Sequence, residues 1–93
     1  MPRFRVAHVR EQGVDLIIVP LATSFGQKAE REQKEIVAEL QIRARSAGMA
    51  GTIVPVWSAG GRTHFIAPHN WHPFFRSLSP MAIEASINKE IYW

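Results

Sequence analysis

The segment from Val14 to Val19 constrains the fold more than any other part of the chain. Its letters, VDLIIV, place apolar side chains at nearly every position. Because side chains alternate along a strand, both faces of this segment are apolar. That pattern is typical of a strand in the middle of a sheet. Pro20 follows directly and ends the strand, since proline has no N–H to donate to a neighbouring strand.

Three other segments predict strands, at residues 3–9, 52–57 and 62–67, with turns at the glycines that precede two of the strands. Between the second and third strands, Ser24 stands three residues before Gln27, which is the spacing of a capping box. Ser24 begins a predicted amphipathic helix that ends at Gly48. Ile36 and Leu40 lie at the centre of the apolar stripe of this helix, and we expect both in the core.

Two further helices are predicted after the fourth strand. The first is short and lies near residues 70–78, where aromatic side chains at helical spacing are expected to pack into the core: Trp71, Phe74 and Phe75. The second begins at Ser79, with Pro80 at its first position. Its predicted buried stripe consists of Ile83, Ile87 and Ile91.

These elements predict a single α+β domain over residues 1–93. The expected architecture is a four-stranded, mainly antiparallel sheet packed with two main helices, in the order ββαββα, with the short helix added. The segments Gly13–Pro20 and Gly61–Pro68 each run from a turn glycine through an apolar strand to a proline. This likeness suggests a pseudo-repeat of a ββα unit, with halves at 1–48 and 49–93.

Composition excludes several classes of protein. The chain has 93 residues and no cysteine, which excludes disulfides and thiolate chemistry. Its net charge of +3 is dispersed rather than gathered into a basic stripe, so it favours nucleic acid only weakly. The apolar run Leu16–Ala22 is too short to span a membrane, and the start of the chain lacks the apolar core of a signal peptide. We therefore expect a cytoplasmic protein without a membrane partner.

The densest group of polar side chains with chemical potential lies between residues 62 and 76. Three histidines there have ligand chemistry, but no carboxylate stands nearby in sequence to orient them, so no metal is predicted. A helix capped by asparagine, with cations around it, is instead a candidate anion site. The candidate ligand- or anion-binding residues are Arg62, His64, His69, Asn70, His72 and Arg76. No phosphate-loop or dinucleotide fingerprint is present, and no cofactor is predicted.

The second face of the predicted sheet is the other candidate site. Two amphipathic helices cover one face of a four-stranded sheet, and the opposite face would keep apolar, aromatic and arginine side chains. Apolar surface of this kind is usually covered or functional. The residues assigned to this interface or nucleic-acid face are Arg3, Arg5, Ile17, Val19 and Trp57.

These patterns favour a small non-enzymatic interaction module that acts as a homodimer, with the second face as its contact. One alternative is a nucleic-acid-binding protein that uses the arginines and aromatics of that face. A second alternative is a small histidine-dependent hydrolase or nuclease. No nucleophile motif supports the second alternative, and no catalytic residue is assigned.

Overall fold

Five strands form one mixed sheet that has helices on both of its faces. The computed structural model describes residues 3–67, 71–77 and 79–92. The strands are β1 (Arg3–Glu11), β2 (Val14–Pro20), β3 (Thr52–Ala59), β4 (Arg62–Phe65) and β5 (Lys89–Tyr92). The helices are α1 (Glu30–Ser46), α2 (His72–Ser77) and α3 (Pro80–Ser86), with a 3₁₀ helix at Thr23–Gln27. The strand order is β4-β3-β2-β1-β5, so the α+β class is confirmed and β2 is central, as predicted.

The sheet corrects the four-stranded, mainly antiparallel prediction in two respects. First, β2 and β3 run parallel, with Val19 opposite Pro55. A parallel pair needs a long crossover, and α1 supplies it. Second, a fifth strand follows the last helix and pairs with β1. The two hairpins on either side of α1 follow the predicted order, but β5 has no counterpart in the first half of the chain.

The last helix is shorter than predicted, and the residues after it form β5. Because α3 ends before Ile87, neither Ile87 nor Ile91 continues a helical stripe from Ile83. The side chain of Asn88 stabilises the extended conformation. Its Oδ1 accepts from the main-chain N–H of His8 at 2.9 Å, and its Nδ2 donates to the carbonyl of His8 at 3.1 Å. Asn88 thus continues the hydrogen-bonded pairing of β5 with β1.

The long helix begins later than the sequence predicted. Residues Thr23–Gln27 form the 3₁₀ helix, which has no side-chain cap, and α1 starts at Glu30. The predicted capping box at Ser24 is therefore not formed. The side chain of Gln33 instead donates from Nε2 to the carbonyl of Phe25 at 2.9 Å, which joins α1 to the 3₁₀ helix.

Apolar cores lie on both faces of the sheet. On the α1 face, the buried residues are Val6, Ile17, Val19, Leu40, Ala44, Met49, Ile53 and Ile91. On the opposite face, which α2 and α3 cover and which we term the α2/α3 face, they are Ala7, Leu16, Ile18, Val54, Val56, Trp71, Phe75 and Ile83. The prediction that both main helices share one face and leave the other exposed was wrong. A central strand that is apolar on both faces needs cover on both, and the helices after β4 supply the second layer.

Several local predictions are confirmed. Leu40 is buried on α1, whereas Ile36 is only partly buried and packs against the same core. Trp71 and Phe75 are buried on the opposite face, and Phe74 packs against that second core. Ser79 caps α3, since its Oγ accepts from the main-chain N–H of Ala82 at 3.1 Å. Among the helices of the described residues, none has the length and apolar character needed to cross a membrane.

Candidate functional site

The structure divides the predicted histidine site between the two faces of the sheet. His64 lies on the α1 face, where its ring stacks on Trp57 with centroids 5.8 Å apart and planes 18° apart. His72 lies on the α2/α3 face, where its ring meets Phe65 edge-on at 5.1 Å. Its Nε2 lies 3.1 Å from the carbonyl oxygen of Ala67. The sheet therefore separates the two histidines, and the expectation that His64 approaches His72 was wrong.

The two arginines of that predicted site are also on different elements. Arg62 shares the face of His64, because residues two apart on a strand point to the same side, whereas Arg76 is exposed on α2. His69 and Asn70 lie outside the described residues, so the predicted asparagine cap belongs to a part of the chain that is not described. Among the residues that are described, no three histidine, aspartate or glutamate side chains are grouped so that they could hold a metal ion.

The predicted interface or nucleic-acid face does not exist as one surface. Ile17 and Val19 are fully buried beneath α1 and are available to no partner. Arg3 and Arg5 point to the α2/α3 face, where Arg5 pairs with Glu84 at 3.0 Å. Trp57 points to the α1 face, as shown by its contact with the 3₁₀ helix. Strand alternation therefore places the two arginines and Trp57 on opposite sides of the sheet.

Three of the predicted residues do meet at the β3–β4 hairpin, which forms one edge of the sheet: Trp57, Arg62 and His64. The turn residues Gly60 and Gly61 have φ angles of 59° and 76°. Two positive φ angles define the type I′ turn that best fits the twist of a two-residue hairpin. The residues on either side, Ala59 and Arg62, are directly opposite each other. In such a hairpin this first pair exchanges both of its main-chain hydrogen bonds.

From that pair onward, hydrogen-bonded and non-hydrogen-bonded residue pairs alternate along the two strands. This alternation fixes the direction of every main-chain group in β4. Arg62 and His64 face β3, whereas Thr63 and Phe65 direct their N–H and C=O groups away from the sheet. The neighbouring contacts agree with this alternation. Ser58, opposite Thr63, directs its carbonyl away from β4 and accepts from the hydroxyl of Thr23 at 2.7 Å. We call the outward main-chain groups of Thr63 and Phe65 the β4 edge.

Pro55 explains why β4 has only four residues. The carbonyl of Pro55 accepts from the N–H of Ile66 at 3.1 Å, so the main-chain groups of Pro55 point toward β4. Proline has no N–H to return the second hydrogen bond, and the ladder stops after Phe65. Ile66 is left 42% exposed just beyond the end of the strand.

The α1 face of the hairpin carries an aromatic stack. Trp57 is half-buried between His64 and Phe25, and the ring of Phe25 meets the indole edge-on at 5.0 Å. Gly26 makes this close packing possible. A Cβ atom at Gly26 would collide with Nε1 of the indole and would lie 2.9 Å from its Cδ1. The indole is therefore held from both sides, and the exposed His64 ring forms the outer layer of the stack.

A groove of about 770 Å³ runs beside this stack between α1 and the end of β4, and we call it the β4 groove. Its lining residues are Gly26, Lys28, Glu30, Gln33, Lys34, Val37, Ala38, Gln41 and Ile66. The two lysines form i,i+4 pairs on the helix side, Lys34 with Glu30 at 3.3 Å and Lys28 with Glu32 at 4.0 Å. Exposed pairs of this type contribute little to stability, so the ammonium groups can exchange partners at low cost.

Sequence reasoning identified Trp57, Arg62 and His64 but missed Lys28, Lys34 and the role of Gly26. In sequence, both lysines carry the ordinary signature of a solvated helix face, and only the packing of α1 and the segment before it over the sheet places them beside the hairpin. Gly26 stands within the predicted first turn of a helix, where a glycine is unexpected, and that was a usable signal. No protein-family model, no curated protein and no solved structure matches this chain.

Proposed function

We propose that the chain is a non-enzymatic interaction module that pairs with a second copy of itself along the β4 edge. The observation that carries this proposal is the outward direction of the main-chain groups of Thr63 and Phe65. An edge strand with unpaired N–H and C=O groups is a template for another strand. The apolar faces offer no such contact, because helices cover both of them.

The register of β4 suits pairing with its own copy. A twofold axis through His64, perpendicular to the sheet, places Thr63 opposite Phe65 of the partner subunit. These are the residues that point outward, so they exchange hydrogen bonds on both sides of the axis. The axis keeps both copies of α1 on the same side, and the two sheets become one continuous sheet.

The charges of the two edge strands favour β4 over β5 as the contact. β5 carries charge on half of its length, since Lys89 and Glu90 are the first two of its four residues. Charged side chains on an edge strand are a common protection against strand pairing. β4 has one charged residue, Arg62 at its start, and its other three residues, Thr63, His64 and Phe65, carry no fixed charge.

The test is the oligomeric state of two variants at the same residue. Thr63→Pro removes an outward N–H and blocks an incoming strand, while every hydrogen bond of β4 to β3 is kept. Thr63→Ala removes the side chain but keeps the donor, so it is the matched control. By sedimentation over a dilution series, we expect wild type and Thr63→Ala to dimerise and Thr63→Pro to be monomeric.

Circular dichroism separates loss of pairing from loss of fold. A Thr63→Pro variant that keeps the wild-type spectrum and sediments as a monomer supports the proposal. A wild-type protein that is monomeric at all concentrations contradicts it. So does a folded Thr63→Pro variant that still dimerises, since that result would place the contact elsewhere.

A further inference from the structure

We infer that the β4 groove binds single-stranded nucleic acid, with a base stacked on the His64–Trp57 pair and phosphates held by the surrounding cations. This inference does not rest on pairing through the β4 edge, and it concerns the monomer. The base would cover the outer side of His64, which faces His64 of the partner subunit in the proposed dimer, so base stacking and strand pairing compete for this ring. The groove itself opens above the plane of the sheet on the α1 face.

The aromatic stack supplies the contact for a base. His64 and Trp57 are near-parallel, and His64 is exposed on its outer side. A base that lies on His64 adds a third layer to a stack whose inner ring is already fixed by Gly26 and Phe25. Stacking on a preorganised ring loses little side-chain freedom, and every base has a π-face to offer.

The two grooves that flank α1 differ in charge, and the β4 groove is the one that favours an anion. The lining of the β4 groove holds two cations, Lys28 and Lys34, and one carboxylate, Glu30, while Arg62 lies on the adjacent hairpin. On the other side of the helix, a second groove of about 540 Å³ has three carboxylates and one lysine: Glu32, Glu35, Glu39 and Lys28. A polyanion is therefore attracted to the first groove and repelled from the second.

The shape of the β4 groove suits a strand rather than a small anion. Its volume of about 770 Å³ lies well above the space that one phosphate needs. Val37, Ala38 and Ile66 give its lining an apolar component, which can contact sugar and base edges. A basic groove beside stacked aromatic side chains is the usual arrangement of proteins that bind single strands without sequence preference.

The test uses fluorescence anisotropy with labelled oligothymidine and oligouridine of about 12 nucleotides, within the site sizes of small single-strand-binding domains. The variant Lys34→Gln/Arg62→Gln removes two charges from the site. Arg3→Gln/Arg76→Gln removes two charges from the opposite face and is the matched control. We expect the first double variant to bind at least about tenfold more weakly at low salt, with the control within about threefold of wild type.

Two further measurements address the mechanism of binding. The slope of log K against log salt should fall by about 1.4 in Lys34→Gln/Arg62→Gln, for two lost contacts to a single strand. His64→Ala should weaken binding of the natural oligonucleotides by about tenfold but leave binding of an abasic oligomer of equal length unchanged. Thr63→Pro, which we expect to be monomeric, should bind at least as tightly as wild type, because no partner subunit then covers the outer side of His64.

Three results would overturn the inference. The first is no binding by wild type at low salt. The second is an equal loss of affinity in the two double variants, which would mean that diffuse charge rather than this groove attracts the strand. The third is equal affinity for the abasic and natural oligomers, which would remove the role of the aromatic stack.

Discussion

Replacement of Leu40 by alanine tests the packing of α1 on the sheet. Leu40 is 1% exposed and lies in the core of the α1 face, above the central strand. The substitution removes buried methyl groups and leaves a cavity between a helix and strands that cannot collapse into it. We expect a loss of about 3–4 kcal/mol, within the range for buried leucines. Since domains are stable by only about 5–15 kcal/mol, this is a large share of the total.

Ile42→Ala is the matched control on the same helix. Ile42 loses the same number of carbon atoms but is 59% exposed, so we expect a change below about 1 kcal/mol. Urea titration followed by circular dichroism, at one protein concentration, measures both variants. At about 4–8 °C per kcal/mol, Leu40→Ala should also lower the melting temperature by roughly 12–30 °C. Equal midpoints for the two variants would refute the assigned orientation of α1.

The remaining predictions concern β5 and β4. Asn88→Ala removes both hydrogen bonds to the main chain of His8 and should destabilise the protein by about 1–3 kcal/mol, with faster amide exchange confined at first to residues 89–92. Unchanged exchange there would show that Asn88 does not hold the strand. In the proposed dimer, His64 faces its own copy, so His64→Lys should weaken the dimer, because like charges directly opposite each other on paired strands are destabilising. An unchanged dimer in sedimentation would place the contact elsewhere.

The sequence by itself determined the local features whose causes are short-range. The nearly continuous apolar run VDLIIV predicted β2 as a central strand, because a strand buried on both faces is apolar on both. The aromatic face of α2 and the cap at Ser79 follow from residues within one helical turn of each other. The glycines at 60 and 61 fixed the β3–β4 turn for the same reason, since glycine adopts positive φ angles without strain.

The candidate site was predicted only in part, because its members belong to segments that are far apart in sequence. Alternation tells which residues of one strand share a face, but it does not relate that face to those of other strands. Arg3 and Arg5 were therefore grouped with Trp57, although register and helix packing place them on opposite sides. Lys28 and Lys34 became part of the β4 groove only through the position of α1 and the segment before it over the sheet.

Tertiary structure also decided which secondary structure the chain end adopts. Ile83, Ile87 and Ile91 have helical spacing, and local preference alone favours a helix through all three. The first half of β1 pairs with β5 from Arg3 to Val6, whereas β2 pairs with β1 only from Ala7 onward. The main-chain groups in the first half of β1 need hydrogen-bond partners once the sheet is buried. Pairing with β5 satisfies them and buries Ile91, and a distant strand therefore overrides the local helical pattern.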